Sequence, residues 1–485
     1  MLNHKTAKSF ALGLSATIAA LPVSGLAQSM PSSEPTTLSV RDVGEIEGVQ
    51  HTLMVPENRS DPDSREIALR YVVLSALEAT DHAPVVYLAG GPGGSGTRTA
   101  QSRRWPLFDA LRQSRDVILL DQRGTGRSDA PPPCASSVGW TAQDIGNRAT
   151  FIAKQKEAFA QCEAFWLEAG VDLAGYTTAE SAADIRAVAE AVGGRVSLLG
   201  ISYGTHLALA TLKDHAGIVD RAVLVSVEGL DQTVKLPART DAFLARLQSA
   251  LDESAIAAGG QAYPDLAASL RQALERIDAE KPVVDVFVAR DQPPAKRTLG
   301  PFAVQAAIAF SLSDPDRAHD IARAIVAMAD EDPDYSFMQR RGFVMPPQIR
   351  MRAMATIMDL ASGISADRLA LVEAQAQSAV LADATNFPMP QLNEQGAPYR
   401  LPDSFRIDPV ADNPALVISG TLDGRTYPES GLEATAGLSQ RTVITVENAG
   451  HNLFFDHPDV VPTLVRFLNG EEVKDTSLIA PLPSL

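Results

Sequence analysis

The sequence predicts an α/β fold, with a mostly parallel central sheet flanked by helices and an inserted helical segment. Short runs rich in Val, Ile and Leu recur without polar alternation, as in strands that are buried on both faces. Helix-like stretches separate these runs, which favours right-handed crossovers and parallel pairing. From about 231 to 405 the runs stop and mostly helical sequence replaces them.

Six apolar runs are the predicted buried strands. In chain order they are APVVYLAG, DVILLDQ, RVSLLG, RAVLVSVEG, PALVISG and TVITVENAG. Before them, HTLMVPENRSDPDSREIALRYVVLSA is typical of two strands around a polar turn. We therefore expect a core in two parts, 46–230 and 406–485, interrupted by a helical lid at 231–405. Residues 28–45 are polar and rich in Pro and Ser, which predicts a flexible leader.

The N-terminus is typical of a secretory signal peptide covering 1–27. Lys5 and Lys8 precede a short apolar run, and small residues allow cleavage near Ala27. A membrane anchor is the alternative, but the run is shorter than the roughly 20 residues that span a bilayer. We therefore expect an exported protein, periplasmic or extracellular, with no stable membrane insertion after cleavage.

Charge and cysteine content restrict the possible partners. The net charge of −17 argues against nucleic acid, whose binding needs Lys and Arg against phosphates. Cys134 and Cys162 are the only cysteines, and in an oxidising compartment they predict a disulfide. Two buried free thiols are the alternative. Two cysteines without clustered histidines do not form a zinc site, and we predict neither metal nor cofactor.

The segment Gly200-Ile201-Ser202-Tyr203-Gly204 lies between a predicted buried strand and a helix. A serine flanked by glycines at such a turn is the nucleophile-elbow pattern, in which the chain turns so tightly that small neighbours are needed. A plain tight turn is the alternative. A serine hydroxyl is a poor nucleophile at neutral pH, so this interpretation requires a base and a group that orients the base.

The pattern predicts that an acid and then a histidine follow the serine along the chain. Asp423 follows the strand PALVISG, and His451 follows TVITVENAG. With Ser202, both would lie at the carboxyl edge of one parallel sheet, where ligands bind in α/β folds. The alternatives are a turn aspartate bonded to its own backbone and a surface-loop histidine. Less well placed rivals are His206, His457, Asp403, Asp408 and Asp412.

The tetrahedral intermediate of such a serine also needs backbone N–H donors for its oxyanion. One predicted donor is Tyr203, directly after the nucleophile. The other is Gly91, in the loop LAGGPGGSG at 88–96, whose glycines allow close approach of backbone to a ligand. A merely flexible loop is the alternative, and a phosphate-binding loop is excluded because no Gly-Lys-Ser/Thr follows.

The motifs AGGPGGSG, LLDQRGTGRSD, GISYGTH, SGTLDGRT and NAGH resemble the α/β-hydrolase family of proline iminopeptidases and tripeptidyl aminopeptidases. VPENRS is similar to its longer secreted members. The resemblance covers most of 46–230 and 406–485, and the lid matches by position only. It implies an α/β-hydrolase fold and a serine peptidase with the triad Ser202, Asp423 and His451. It also implies a structural role for Asp121 and Arg123.

The chain departs from this family at one position, and the residue that would bind the substrate ammonium has to be assigned separately. Ala89 stands where proline iminopeptidases usually have a histidine, which fits the tripeptidyl branch or an esterase relative better. The family binds the substrate ammonium with acidic residues around the lid, and Glu228 is our candidate. Asp231 and Asp359 are weaker candidates. A loop glutamate paired to an arginine is the alternative for Glu228.

Three hypotheses about function follow. The first is an exported aminopeptidase that releases short N-terminal fragments from peptides through an acyl-enzyme on Ser202. The second is an esterase or amidase of small substrates that uses the same triad, because one fold hosts both chemistries. The third is a binding protein on an inactive scaffold, against which the intact serine, acid and histidine argue.

Overall fold

A computed structural model describes residues 1, 31–78, 80–287, 293–340 and 348–485. Apart from Met1, the predicted signal peptide lies outside these residues. No helix in the described ranges is long and apolar enough to cross a membrane.

Ten strands form one sheet, in the spatial order β1-β2-β3-β5-β4-β7-β8-β12-β13-β14. The first three strands and the β3–β5 pair are antiparallel, and all other neighbours are parallel. The strands are β1 (Ser32–Val40), β2 (Gly44–Pro56), β3 (Glu66–Leu74), β4 (Val85–Leu88), β5 (Val117–Asp121), β6 (Cys134–Ala135), β7 (Val196–Ile201), β8 (Val219–Val225), β9 (Val283–Val286), β10 (Ala295–Thr298), β11 (Arg350–Met351), β12 (Ala415–Gly420), β13 (Arg441–Glu447) and β14 (Thr476–Ile479).

Helices cover both faces of the sheet and fill the interval between β8 and β12. They are α1 (Gly96–Ala100), α2 (Trp105–Leu111), α3 (Arg148–Glu168), α4 (Thr178–Ala191), α5 (Tyr203–His215), α6 (Pro237–Ala257), α7 (Leu266–Glu280), α8 (Pro301–Ala309), α9 (Ala318–Ala329), α10 (Ser336–Arg340), α11 (Ala353–Ser362), α12 (Ala366–Ala376), α13 (Met389–Leu392), α14 (Pro428–Ala434) and α15 (Val460–Leu468). The prediction of a mostly parallel sheet flanked by helices is confirmed.

The central strands are buried on both faces, as their continuous apolar runs predict. Along β4, Val86 and Leu88 belong to one hydrophobic cluster, and Val85 and Tyr87 belong to the cluster on the opposite face. Each strand end at the carboxyl edge is therefore held between two packed layers. That packing fixes the position of the loops that leave this edge.

The prediction of a flexible leader at 28–45 is wrong for the described part of that range. Residues 32–40 form β1, which pairs antiparallel with β2 from Ser32↔Thr52 to Val40↔Gly44. Leu38 and Val40 point into the core. The pattern does not reveal this strand because only these two positions are apolar. Its polar residues and Pro35 are tolerated because β1 is the edge of the sheet.

The interval 231–405 contains helices α6 to α13, and it has a hydrophobic cluster of its own. Leu251, Leu270, Ile277 and Ile321 are among the buried members of that cluster. The interval also contains the antiparallel pair β9–β10, which helical periodicity does not predict. The exact limits of the lid stay a prediction.

The predicted disulfide between Cys134 and Cys162 is present. It joins β6 to α3, and β6 pairs antiparallel with β11, which directly precedes α11 of the lid. The disulfide therefore fixes β6, the strand that pairs with β11 of the lid, to α3 of the core.

Candidate active site

Ser202 lies at the sharp turn between β7 and α5, with φ 57° and ψ −127°. Residues with a side chain rarely adopt positive φ, and such strain is characteristic of nucleophile elbows. The Ser202 N–H donates to Val225 O at 3.0 Å, which holds the turn against the end of β8. The serine is thus fixed at the carboxyl edge of the sheet.

Both glycines of the pentapeptide are required by close backbone contacts. A Cβ at Gly204 would lie 2.0 Å from Leu88 O, and one at Gly200 would lie 2.4 Å from Gly204 O. Neither position accepts a side chain unless the strand and helix separate. The glycines therefore let α5 pack tightly under β4 and β7.

Asp423 and His451 meet as the sequence predicts. His451 Nδ1 lies 2.9 Å from Asp423 Oδ2, and the carboxylate is fully buried. It also accepts from the N–H groups of Arg425 and Thr426, each at 2.8 Å, and from Thr426 Oγ1 at 2.6 Å. Burial alone would raise the pKa of Asp423, but His451 and the Thr426 hydrogen bonds hold it below its ordinary value. The carboxylate is thus ionised and oriented.

The ends of neighbouring strands place His451 at the same edge of the sheet as Ser202. Ser226, directly after β8, donates its N–H to Ile418 O at 2.9 Å and its Oγ to His451 O at 3.2 Å. The His451 N–H donates to Ser313 O of the lid at 3.0 Å. No hydrogen bond from Ser202 Oγ is found among the described residues. Such bonds are often long without substrate and tighten when it binds.

The predicted oxyanion loop lies directly against the nucleophile. Leu88 at the end of β4 pairs with Gly200 of β7, so the loop starts beside the elbow. A Cβ at Gly90 would lie 3.0 Å from Ser202 Cβ. The N–H of Gly91 has no acceptor in the described part of the chain. Tyr203 is the first residue of α5, so helix geometry leaves its N–H without an intrahelical partner.

Buried polar networks brace this edge, which supports the structural role that the resemblance implies for Asp121 and Arg123. The Asp121 carboxylate accepts from Ser95 Oγ at 2.6 Å and Thr97 Oγ1 at 2.7 Å, which fixes the end of the oxyanion loop. Arg123 is fully buried and bonds both carboxylate oxygens of Asp184, each at 2.7 Å.

A family model described as alpha/beta hydrolase fold matches residues 83–458. The chain belongs to this alpha/beta hydrolase family. No curated protein sequence matches the chain.

Several solved structures are similar to this hydrolase. The proline iminopeptidase-related protein from Thermus thermophilus is 18% identical over 87% of this chain and 97% of that chain, with a TM-score of 0.39. An epoxide hydrolase from an endophytic Streptomyces is 17% identical over 88% of this chain and 98% of that chain, with a TM-score of 0.38. A thermophilic esterase from Thermogutta terrifontis is 15% identical over 86% of this chain and 98% of that chain, with a TM-score of 0.35.

A cavity of about 550 Å³ lies beside the oxyanion loop of the hydrolase. Ala355 on α11 lines it, and a Cβ at Gly93 would touch Ala355 Cβ at 3.2 Å. This volume is in the range of small-molecule sites. Its lining residues are mostly aromatic and aliphatic, with three charged side chains: Trp140, Phe151, Gln155, Phe310, Ile349, Arg350, Met351, Arg352, Ala355, Thr356, Asp359, Phe387, Pro388, Met389 and Leu392.

Glu228, the predicted substrate anchor, already has a partner. Its N–H donates to Thr205 Oγ1 on α5 at 2.8 Å, which places it near the elbow. Its carboxylate Oε2 lies 2.5 Å from Lys235 Nζ. Burial alone would raise the pKa of Glu228, but Lys235 holds it below its ordinary value. The alternative of a paired loop glutamate therefore describes it better, with a lysine in place of an arginine.

Asp359, on α11, is a cavity-lining carboxylate without a partner among the residues that the structure describes. It lines the cavity, and its carboxylate makes no hydrogen bond or ion pair with any described residue. Burial and the negative charge of Glu228 raise the pKa of Asp359 to about 8, against smaller opposing effects of Lys235 and Arg425. Asp231 is instead occupied, because it accepts from Ser365 N and Oγ.

The rival histidines and aspartates have other contacts. His206 is buried between Gly229 O, at 3.0 Å from Nδ1, and Ser362 Oγ, at 3.1 Å from Nε2. His457 accepts from the N–H of Asp459. The remaining rivals contact residues outside the triad: Asp403 contacts Arg406, Asp408 contacts Leu230 and Asp412 contacts Ser439.

Arg425 belongs to the site although the sequence interpretation assigned it no role. Its guanidinium carbon lies 5.6 Å from the centre of the Phe310 ring, and Phe310 lines the cavity. The sequence feature that could have identified Arg425 is its position two residues after Asp423, inside the motif SGTLDGRT. No three His, Cys, Asp or Glu side chains of the described chain are placed to hold a metal ion.

Proposed function

We propose that this hydrolase is a serine hydrolase that acts through an acyl-enzyme on Ser202. His451 takes the Ser202 proton as Oγ attacks the substrate carbonyl, and Asp423 stabilises the resulting imidazolium. The N–H groups of Gly91 and Tyr203 stabilise the oxyanion. His451 then donates the proton to the leaving group, and water attacks the ester carbonyl to regenerate Ser202. Support comes from the 2.9 Å contact of His451 with Asp423 and from the strained conformation of Ser202.

The proposed substrates are peptides with a free N-terminus, from which the enzyme releases short fragments. The observation that carries this proposal is the unpartnered Asp359 carboxylate on the wall of a largely apolar cavity beside the oxyanion loop. A substrate ammonium is the complementary charge, and a charge-assisted hydrogen bond to it would satisfy the carboxylate. Asp359 thereby takes the anchoring role for which Glu228 was the first candidate.

Export to the periplasm or the medium is part of the proposal. The disulfide between Cys134 and Cys162 supports it, because disulfides persist mainly in oxidising compartments. The test is cell fractionation of the producing organism with an antibody against the chain. Protein lacking residues 1–27 outside the cytoplasm is expected, whereas uncleaved protein in the cytoplasm would overturn export.

The test of the peptidase proposal uses the mature protein and two chromogenic tripeptide anilides that differ only in N-terminal acetylation. Cleavage of the free peptide at least about tenfold faster, measured as kcat/KM, is expected because only this substrate carries the ammonium. Ser202→Ala provides the blank. Equal cleavage of both substrates, or rapid hydrolysis of a simple ester with neither anilide cleaved, would replace the peptidase by the esterase hypothesis.

A further inference from the structure

Arg425 lies between the triad acid Asp423 and Phe310 on the cavity wall. Its N–H donates to Asp423 Oδ1 at 2.8 Å, so the backbone of the arginine is fixed by the triad acid itself. Its guanidinium is stacked over Phe310, on the cavity wall. Nη1 at the charged end of this side chain is therefore buried beside the cavity wall rather than free in solvent.

The guanidinium of Arg425 has no hydrogen-bonding partner in the described part of the chain. It makes no hydrogen bond or ion pair with any residue that the structure describes, and its Nη1 is buried. A buried donor without an acceptor costs about 1–3 kcal/mol, and most such groups in proteins are satisfied. The acid that would most readily pair with it, Glu228, is bonded to Lys235. Arg425 thus retains donors that a ligand can use.

Arg425 and Asp359 do not bond each other, and they carry complementary charges once Asp359 is ionised, above a pKa of about 8. Asp359 lines the cavity, Arg425 lies against its lining residue Phe310, and the positive charge of Arg425 lowers the pKa of Asp359 against the dominant effect of burial. An unpartnered carboxylate suits an ammonium, and an unpartnered guanidinium suits a carboxylate, which it binds through two parallel hydrogen bonds. A ligand with both groups would satisfy both side chains.

We propose that Arg425 binds a carboxylate of the substrate, namely the C-terminal carboxylate of a short peptide. This inference rests on the proposed function, in which Asp359 holds the other end. It names the substrate class as peptides short enough for both termini to lie within one cleft. Because an extended residue spans about 3.3–3.6 Å, a tripeptide reaches about 10 Å.

Two other arginines line the cavity, Arg350 and Arg352, and both are exposed. Exposed charges contribute little to binding because water and salt screen them. They therefore serve as controls for Arg425, because they place the same side chain on the cavity wall but in solvent.

The experiment compares a free tripeptide with its C-terminal amide, both with free N-termini, and follows products by mass spectrometry. We expect kcat/KM to favour the carboxylate at least about tenfold in the wild type. This ratio should fall to about 1 in Arg425→Gln, stay intermediate in Arg425→Lys, and be unchanged in Arg352→Gln. An equal loss on both substrates in Arg425→Gln would mean a structural role and would overturn the proposal, as would a wild-type ratio near 1.

A pair of esters separates this inference from the peptidase proposal. 4-Acetoxybenzoate and its methyl ester differ only in a carboxylate on the leaving group, so they test Arg425 even if no peptide is cleaved. A preference for the carboxylate that Arg425→Gln removes supports the inference. If 4-nitrophenyl hemisuccinate is instead preferred over 4-nitrophenyl butyrate, the arginine recognises the acyl part and the assignment to the C-terminus is wrong.

Discussion

At the scale of single residues, local pattern and chain order gave candidate catalytic residues but not the partners of charged side chains. Ser202, Asp423 and His451 were identified from local pattern and chain order, and the structure brings the acid and the histidine into contact. The partner of Glu228 was not predictable, because Lys235 reaches it through the fold of a loop seven residues away. For the same reason, neither the open carboxylate of Asp359 nor the open guanidinium of Arg425 was apparent in the sequence.

Replacement of Ser202 by alanine tests the nucleophile. We expect kcat to fall by about 10⁴-fold or more, because residues of a triad act as one unit. The thermal midpoint should not fall, since alanine keeps the small side chain that the elbow accepts. Turnover of a chromogenic ester and a melting curve are the measurements. Turnover close to that of the wild type would exclude Ser202 as the nucleophile.

The pKa of Asp359 predicts the pH dependence of substrate selection. With its pKa raised to about 8, the carboxyl is neutral below that pH and ionised above it. A peptide ammonium loses its proton in the same range. The ratio of kcat/KM for free and acetylated substrates should therefore peak near pH 8 and decline on both sides. Because the triad acts on both substrates, its titration cancels in this ratio, and a flat profile would contradict the prediction.

At the scale of elements, the strands and helices that could be predicted are those with a regular hydrophobic pattern. Apolar runs located the parallel strands except β14, which lies at the far edge of the sheet. Strands at the edges of sheets were not predicted, since β1 buries only Leu38 and Val40 on one side. The pair β9–β10 is similarly short and half exposed.

The packing of α5 under the sheet depends on Gly204. In Gly204→Ala the added Cβ would lie 2.0 Å from Leu88 O, a backbone atom that cannot move alone. We expect a loss of at least about 3 kcal/mol in the free energy of unfolding, at or beyond the upper end of ordinary overpacking. Gly217→Ala is the matched control, because nothing lies within 4 Å of its added Cβ. Urea denaturation measures both, and equal midpoints would refute the packing argument.

At the scale of the whole molecule, the disulfide anchors within the core the strand that pairs with the lid. Cys134 lies in β6, which pairs with β11, and β11 leads into α11 with Asp359. The sequence predicted the bond because no third cysteine competes. It did not predict what the bond holds, because the pairing of β6 with β11 joins segments more than 200 residues apart.

Removal of the disulfide should destabilise the protein. Closure of a loop of this length contributes roughly 3–4 kcal/mol in the chain-entropy model, so Cys134→Ser with Cys162→Ser should unfold at lower urea. A reducing agent should lower the midpoint of the wild type and leave the double variant unchanged. An unchanged wild-type midpoint under full reduction would show that the bond does not stabilise the fold.

The most direct test of the account is the effect of Asp359→Asn on discrimination between free and acetylated tripeptide anilides. The amide is nearly isosteric but carries no negative charge, so it removes the proposed ammonium anchor and leaves the triad in place. We predict that the wild type favours the free peptide at least about tenfold in kcat/KM and that the variant cleaves both at similar rates. A variant that retains the wild-type preference would contradict the assignment of Asp359 as the anchor.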